Sequence, residues 1–234
     1  MNLAVIIVAA GRGQRMGSEI PKQYIPLGSK TALRRSAEVF LSRDDLCQLV
    51  PVIHPSDAGL CADALSGLTD PRVLDPVAGA ETRGLSVRRG LEALVPHAPD
   101  VVLIHDAARP FVPPDVIERV VAALTSSPGA CAALRVVDAL WMEDDDGHAS
   151  HVVPRDGLWR AQTPQGFHFD AIMTAHHAHD GTAADDVAVA REAGLAVALV
   201  EGSERSYKIT TQPDLLGALA DAKALDETAA DRLP

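Results

Sequence analysis

Glycines at positions 11, 13 and 17, interleaved with Arg12 and Arg15 and followed by Lys22, have the composition of a phosphate seat. Glycine lets the backbone turn sharply and approach a ligand, and the N–H groups of such a turn attract anions. The fixed cations add charge of the matching sign. A second feature lies downstream, where the apolar residues 101–104 stop at His105-Asp106-Ala107-Ala108-Arg109. A carboxylate just past a buried strand, on the ligand side of a sheet, is placed to hold a magnesium ion that bridges phosphates. The same residues also permit plainer readings: a βα turn with solvated arginines, and a loop cap in which Asp106 accepts backbone N–H groups. Two common phosphate loops are excluded by spacing. G-x-G-x-x-G needs glycine where Met16 stands, and no lysine follows Gly17 as a Walker loop requires.

Such groups need a scaffold that brings strand ends together. Residues 3–10 are apolar without alternation, which suits a strand buried on both faces. Helical spacing follows over 31–42, with Leu33, Ala37, Phe40 and Leu41 on one face, and again over 58–65. Residues 49–53 read as a second strand and 72–74 as a short third. Over 79–94 a loop carrying Arg83 and Ser86 passes into a helix aligned on Val87, Leu91 and Leu94. Residues 101–104 and 130–137 are further strands, the latter ending at Asp138, and 114–124 is a helix with proline in its first turn. An extended arm spans 140–153, its halves joined by Asp144-Asp145-Asp146-Gly147. Residues 155–167 read as a loop, followed by helices over 169–178 and 185–193 and a strand over 195–200. A T-x-x-D start at Thr211 and Asp214 opens the last helix, and the tail after residue 224 is expected to fray.

Strands alternating with helices predict an α/β fold: a Rossmann-like, mostly parallel sheet flanked by helices. One domain is expected over 1–234, with a protruding β-arm at about 138–155. Ligands of open α/β sheets bind outside the carboxyl ends of the strands. The residues that converge there are 11–22, Asp106 with Arg109, and Asp138.

Composition narrows the partners. A formal charge of −11 argues against a nucleic-acid surface and against an anionic membrane, leaving the local cations to serve one small anionic ligand. Three cysteines without C-x-x-C spacing indicate a reducing compartment and no zinc site. Nothing approaches the ~20 apolar residues of a membrane helix. Residues 3–10 lack the basic flank of a signal peptide and read as a cytoplasmic strand. His176, His177 and His179 beside Asp180 read as a solvated helix end, and residues 143–146 as a solvated turn. Trp141 and Met142 read as arm residues that bury against a partner.

Taken in order, AAGRGQRMG, PKQY, HDAARPF, DGLWRAQTPQGF and YKITT resemble the cytidylyltransferases that convert 2-C-methyl-D-erythritol 4-phosphate to its CDP derivative. The resemblance covers about residues 3 to 220. It implies a Rossmann-like nucleotidyltransferase that dimerises through the β-arm and serves the non-mevalonate isoprenoid pathway, with CTP and a polyol phosphate as substrates. Magnesium, or another divalent cation, is the implied cofactor. By the resemblance Arg15 and Lys22 stabilise the transition state. Ala9, Ala10, Gly11, Gly13, Ala80, Glu81, Ser86, Asp106 and Ala107 contact the nucleotide, with Asp106 also facing metal and substrate. Arg155, Lys208, Arg109 and Thr163 position the acceptor. Two departures fall near that acceptor: Ala139 after Val136-Val137-Asp138, and Ala184 before Asp185-Asp186, stand where the family has threonine. Thr182 is the nearest hydroxyl to the second.

The chemistry needs no general base. The acceptor's phosphate monoester has its second pKa near ~6 and is already anionic at neutral pH. The site must align that oxygen with the α-phosphorus of CTP and neutralise the growing charge. Two other readings remain: a cytidylyltransferase for a sugar-alcohol phosphate such as ribitol 5-phosphate, and a non-catalytic nucleotide-binding regulatory module. The second has no need of Arg15 and Lys22 beside Asp106.

Overall fold

The computed structural model describes residues 1–12 and 20–230. Strand β1 (Leu3–Ala9) is an interior strand of a seven-stranded sheet. Its pleat explains its unbroken apolar sequence. Leu3, Val5, Ile7 and Ala9 enter the core on one face, and Ala4 and Ile6 enter the core on the other.

A two-residue pair, β2 (Pro26–Leu27) and β3 (Lys30–Thr31), leads into α1 (Ala32–Leu41), whose first turn is capped by the Thr31 hydroxyl accepting the Arg34 N–H. Next come β4 (Leu46–Ile53), α2 (Ala58–Ala64), β5 (Val77–Ala78) and α3 (Arg83–Leu94). The central segment adds β6 (Val101–Asp106), α4 (Pro114–Ala123) and β7 (Gly129–Arg135). The arm is β8 (Leu140–Glu143) with β9 (Ala149–Val153), and the chain then runs through β10 (Trp159–His168), α5 (Phe169–Ala178), α6 (Asp186–Glu192), β11 (Val197–Glu201) and α7 (Gln212–Ala230).

The sheet order is β11-β7-β10-β6-β1-β4-β5. All neighbours are parallel except β10, which runs antiparallel to β6 and β7. Side chains of α1, α2 and α4 (Leu33, Phe40, Cys61, Val116, Val120) fill one face, and those of α3, α5 and α6 (Val87, Leu91, Ile172, Val189) fill the other. The expected α/β architecture is therefore present.

Three readings of the chain are corrected. Residues 155–167 are not all loop, because β10 occupies most of them. Its Gln162, Thr163 and Gln165 look like turn residues, yet all three are buried. Each finds partners: Gln162 exchanges hydrogen bonds with Ser203 at 2.8 and 3.0 Å, and Gln165 Oε1 accepts the Asp186 and Val187 N–H groups at 3.1 Å each. The short third strand is displaced. Residues 72–74 make one bridge, Val73 to Leu49, and the paired strand is β5, opposite Val52 and Ile53.

The tail does not fray at residue 224, because Asp226 pins α7 to the body. Its carboxylate takes Arg35 Nη2 at 2.7 Å and the Ser29 N–H and hydroxyl at 2.9 Å.

The arm stands apart. Its two strands pair with each other, and Asp144 Oδ1 closes the turn by accepting the Asp146 and His148 N–H groups. Trp141 is 61% exposed on the single chain, with Met142 and Val152 also open.

Replacing Asp226 with alanine leaves the nearly buried Arg35 guanidinium with only the Leu27 carbonyl. Asp226→Ala should cost about 1–3 kcal/mol, the usual penalty for orphaning a buried charged donor. Urea unfolding followed by circular dichroism measures it, and an unchanged midpoint would show that α7 is held by its apolar contacts alone.

Candidate functional site

At the carboxyl ends of β1, β4 and β6 the polypeptide surrounds a cleft of about 590 Å³. Its lining includes Ala9, Ala10, Gly11, Lys22, Ala80, Glu81, Ser86, Asp106, Ala107 and Lys208, so ten of the predicted positions come together. Gly13 and Arg15 lie outside the described residues. Thr163 and Arg109 are not in the lining but stand behind Asp106. Arg155 is elsewhere, at the base of the arm, donating to the Val137 carbonyl. Asp138 is exposed and outside the lining, because β7 ends at Arg135, two residues earlier than expected.

Three local devices shape the cleft. Gln23, in a 3-10 turn begun by Lys22, donates its amide to the carbonyls of Ala9 (2.6 Å) and Gly11 (3.1 Å) and so fixes the chain as it leaves β1. The second device is Gly79. A Cβ there would come within 2.6 Å of Ala10 Cβ and 2.9 Å of Ser86 Oγ, so only glycine lets the two loops approach this closely. The third is Ser86, whose hydroxyl accepts the Ala80 N–H at 2.9 Å and donates to the Thr82 carbonyl at 2.8 Å. The loop over residues 79–82 is thereby folded onto the start of α3. Thr82 caps that helix and Arg83 opens it, so a helix N-terminus of positive potential faces the cleft. Arg12, Lys22, Arg83 and Lys208 also line it, which makes the cleft cationic in a chain of net charge −11.

Asp106, the last residue of β6, is the centre of this charge. Its Oδ2 lies 2.8 Å from Lys208 Nζ and 3.6 Å from Arg109 Nε, and its Oδ1 lies 3.4 Å from Arg83 Nε. Burial alone would raise its pKa, but Arg83, Lys208 and Arg109 hold it far below the ordinary carboxylate range. The carboxylate is thus ionised and already compensated. A hard oxygen donor of this kind fits a divalent cation that keeps waters and binds substrate phosphates. Among the described residues no group of three or more His, Cys, Asp or Glu forms a cage of protein ligands alone.

Behind Asp106 the hydrogen-bond directions are determined. The Arg109 carbonyl can only accept, so His105 Nε2 carries the proton at 3.1 Å from it. His105 Nδ1 therefore accepts the Thr163 hydroxyl at 3.0 Å, and Thr163 Oγ1 accepts the Asp106 N–H at 3.1 Å. Arg109 also donates to the Ser206 carbonyl at 2.7 Å. Thr163 and Arg109 so orient Asp106 from the protein side.

Arg83 is the site residue that sequence reasoning left without a role. Its Nη1 sits 2.8 Å from Asp186 Oδ2 and its Nε reaches Asp106, so it spans two buried carboxylates. The following residue, Gly84, packs against the Gly181 backbone, where a Cβ would approach the carbonyl to 2.9 Å. The only local signal is an arginine directly after a Thr helix cap. The reading of three solvated histidines is corrected here: His176 is buried, with Nε2 3.2 Å from Asp186 Oδ1. His177 is exposed beside Glu92, and His179 Nδ1 accepts the Gly181 N–H. Thr182, the hydroxyl nearest Ala184, donates to Asp180 at 2.6 Å.

A family model of 2-C-methyl-D-erythritol 4-phosphate cytidylyltransferase matches residues 3–223. A bifunctional IspD/IspF enzyme of Rhodospirillum rubrum is 50% identical over 214 residues, 91% of this chain and 55% of that protein. The 2-C-methyl-D-erythritol 4-phosphate cytidylyltransferase of Cereibacter sphaeroides is 47% identical over 218 residues, 93% of this chain and 96% of its own. The solved 4-diphosphocytidyl-2C-methyl-D-erythritol synthase of Anaerococcus prevotii aligns with a TM-score of 0.80 at 28% identity, covering 94% of this chain and 96% of that one. The chain thus spans about half the length of the bifunctional relatives and nearly all of the shorter ones.

His105 offers a test that needs no ligand. Burial pushes its imidazole down to about 4, against ~6.5 in an unfolded chain. As pH falls below ~6.5 the unfolded state takes up this proton first, so stability drops between ~6.5 and ~4. Urea midpoints at about pH 7 and about pH 5 should separate more in the native protein than in His105→Asn, which cannot titrate. Equal losses would assign the pH dependence to other groups.

Proposed function

Because the chain belongs to the 2-C-methyl-D-erythritol 4-phosphate cytidylyltransferase family, we propose that it transfers the cytidylyl group of CTP to 2-C-methyl-D-erythritol 4-phosphate and releases pyrophosphate, as a step of the non-mevalonate isoprenoid pathway. The observation that carries the reading is Asp106, ionised among Arg83, Arg109 and Lys208 at the floor of a cationic cleft beside a helix N-terminus. The comparisons favour neither a ribitol 5-phosphate enzyme nor a non-catalytic module. A pyrophosphate-release assay with CTP against both acceptors tests the assignment, and a preference for ribitol 5-phosphate would overturn it.

An acceptor phosphate oxygen attacks the α-phosphorus, and the bond from that phosphorus to the bridging oxygen of the β-phosphate breaks. The attacking oxygen is anionic at neutral pH, so the protein supplies position and charge rather than a base. His105 is excluded as a base by its burial and its two engaged nitrogens. Residues 9–11, the 79–82 loop and Ser86 hold the nucleotide. Lys22, with Arg15, meets the negative charge that grows on the transferring phosphoryl group. Lys208, in the lining and paired with Asp106, would position the acceptor. Asp106 would hold magnesium or another divalent cation, which supplies further positive charge to the triphosphate. We place the reaction in the cytoplasm. Three free cysteines, with the thiols of Cys61 and Cys131 pushed up by burial to about 11 and about 12, suit a reducing compartment.

Lys22→Ala should lower kcat by at least ~100-fold with the fold intact, since its charge acts on the transition state. Near-normal kcat with raised KM for CTP would assign Lys22 to ground-state binding instead.

The functional form we propose is a homodimer whose arms interlock, one nucleotidyltransferase domain per chain. Support comes from the exposed Trp141, Met142 and Val152 on a hairpin too small to form its own core, and from Arg155, which lies outside its own chain's cleft lining. Arg155 then completes the partner's site. Inactive Lys22→Ala chains mixed with inactive Arg155→Ala chains should regain activity, since random exchange leaves about a quarter of all sites with both residues. A mixture that stays inactive after verified subunit exchange would return Arg155 to its own chain.

A further inference from the structure

The charged groups behind the cleft extend further than substrate contact requires. From Asp106 the chain of contacts runs through Arg83 to Asp186 and on to His176, whose side chains are 0% and 1% exposed. Neither Asp186 nor His176 lines the cleft. Burying a second carboxylate is costly, and neutralising Asp106 does not call for it, because Lys208 and Arg109 already face its Oδ2.

We propose that Asp186, backed by His176, is a positioning residue that keeps the contact of Arg83 with Asp106 Oδ1 long and single, so that a divalent cation arriving with the nucleotide can displace it. This rests on the reading of Asp106 as the metal-holding residue. The distances carry the argument. Arg83 is 2.8 Å from Asp186 and 3.4 Å from Asp106, so the nearer carboxylate has the stronger hold. A guanidinium beside one carboxylate alone tends to a two-point pair, which would occupy both oxygens. Here Lys208 and Arg109 share Oδ2, and Arg83 is kept too far from Oδ1 for a short charge-assisted bond.

Asp186 can exert this hold because its own place is determined by the main chain. It opens α6, where Asp185 caps the helix by accepting the Ala188 N–H at 2.9 Å. Gln165 of β10 accepts the Asp186 and Val187 N–H groups and donates to Asp185 Oδ2 at 3.0 Å. His176 of α5 stands against the other carboxylate oxygen. The carboxylate is thereby fixed relative to β10, the neighbour of the strand that ends in Asp106.

The test reads binding rather than turnover, with manganese as the probe. The affinity of manganese–CTP for each protein is measured by water-proton relaxation, without acceptor, alongside a circular-dichroism melt. Asp186→Asn should weaken that affinity about tenfold, because the released Arg83 closes on Asp106. In Arg83→Gln/Asp186→Asn the closing group is gone, and affinity should return to within about threefold of Arg83→Gln alone. Native affinity in Asp186→Asn overturns the proposal. A double variant weaker than Arg83→Gln also overturns it, since Asp186 would then act by a route other than Arg83. Should Asp186→Asn fail to fold, the comparison of Arg83→Gln with the charge-balanced double variant still decides. Asp106→Asn separates the premise from the inference: if it binds manganese–CTP as the native protein does, the reading of Asp106 itself is wrong.

Discussion

A carboxylate that is 6% exposed stays ionised only if cations are brought to it, and this requirement on Asp106 organises the molecule. The cations come from three separated parts of the chain. Arg83 belongs to the first turn of α3, Arg109 follows β6, and Lys208 precedes α7. Arg109 is three residues from Asp106 and reaches it within one turn, but Arg83 reaches it only when α3 has packed on the sheet, and Lys208 only when the segment before α7 lies against that turn. The core and the site are therefore assembled by the same event. His105 and Thr163 complete the support from behind, with the proton directions set by the Arg109 carbonyl, which can only accept, and the Asp106 N–H, which can only donate.

Charge alone does not make the cleft selective; its walls are placed by close contacts. Gln23 takes two carbonyls of the chain leaving β1, and Gly79 leaves room for Ala10. Ser86 folds the adjoining loop back onto α3. The result is a cationic seat of fixed shape on an acidic protein. The overall charge discourages large polyanions while the local field attracts a small one. For the transfer proposed above that division is useful, because positioning and preorganised charge are most of what phosphoryl chemistry asks of a protein.

Much of this was legible in the residues themselves. Unbroken apolar runs before Gly11 and Asp106 mark strands buried on both faces, and the polar residues after them mark the ligand side. That logic is local: a strand's burial is written in its own side chains, and the strand end sets where its next residue lies. Of the positions this logic selects, Gly11, Lys22 and Asp106 line the cleft, whereas Ala80, Glu81, Ser86 and Lys208 were expected there from the family resemblance.

What the tertiary structure decided is everything that depends on a partner distant in sequence. Residues Gln162, Thr163 and Gln165 read as a turn because polar side chains avoid a core unless something inside it pairs with them. The pairing groups, Ser203, His105, Asp186 and Val187, lie up to 58 residues away. Likewise Asp226 holds a helix that its composition would let fray, by meeting an arginine 191 residues earlier. His176 looked solvated until Asp186 was placed beside it, and Arg83 had no role until two carboxylates flanked it. Apolar burial is a property of one residue and its period, so sequence alone determines it. A buried charge or amide is stable only as half of a pair, and the other half is supplied by the fold.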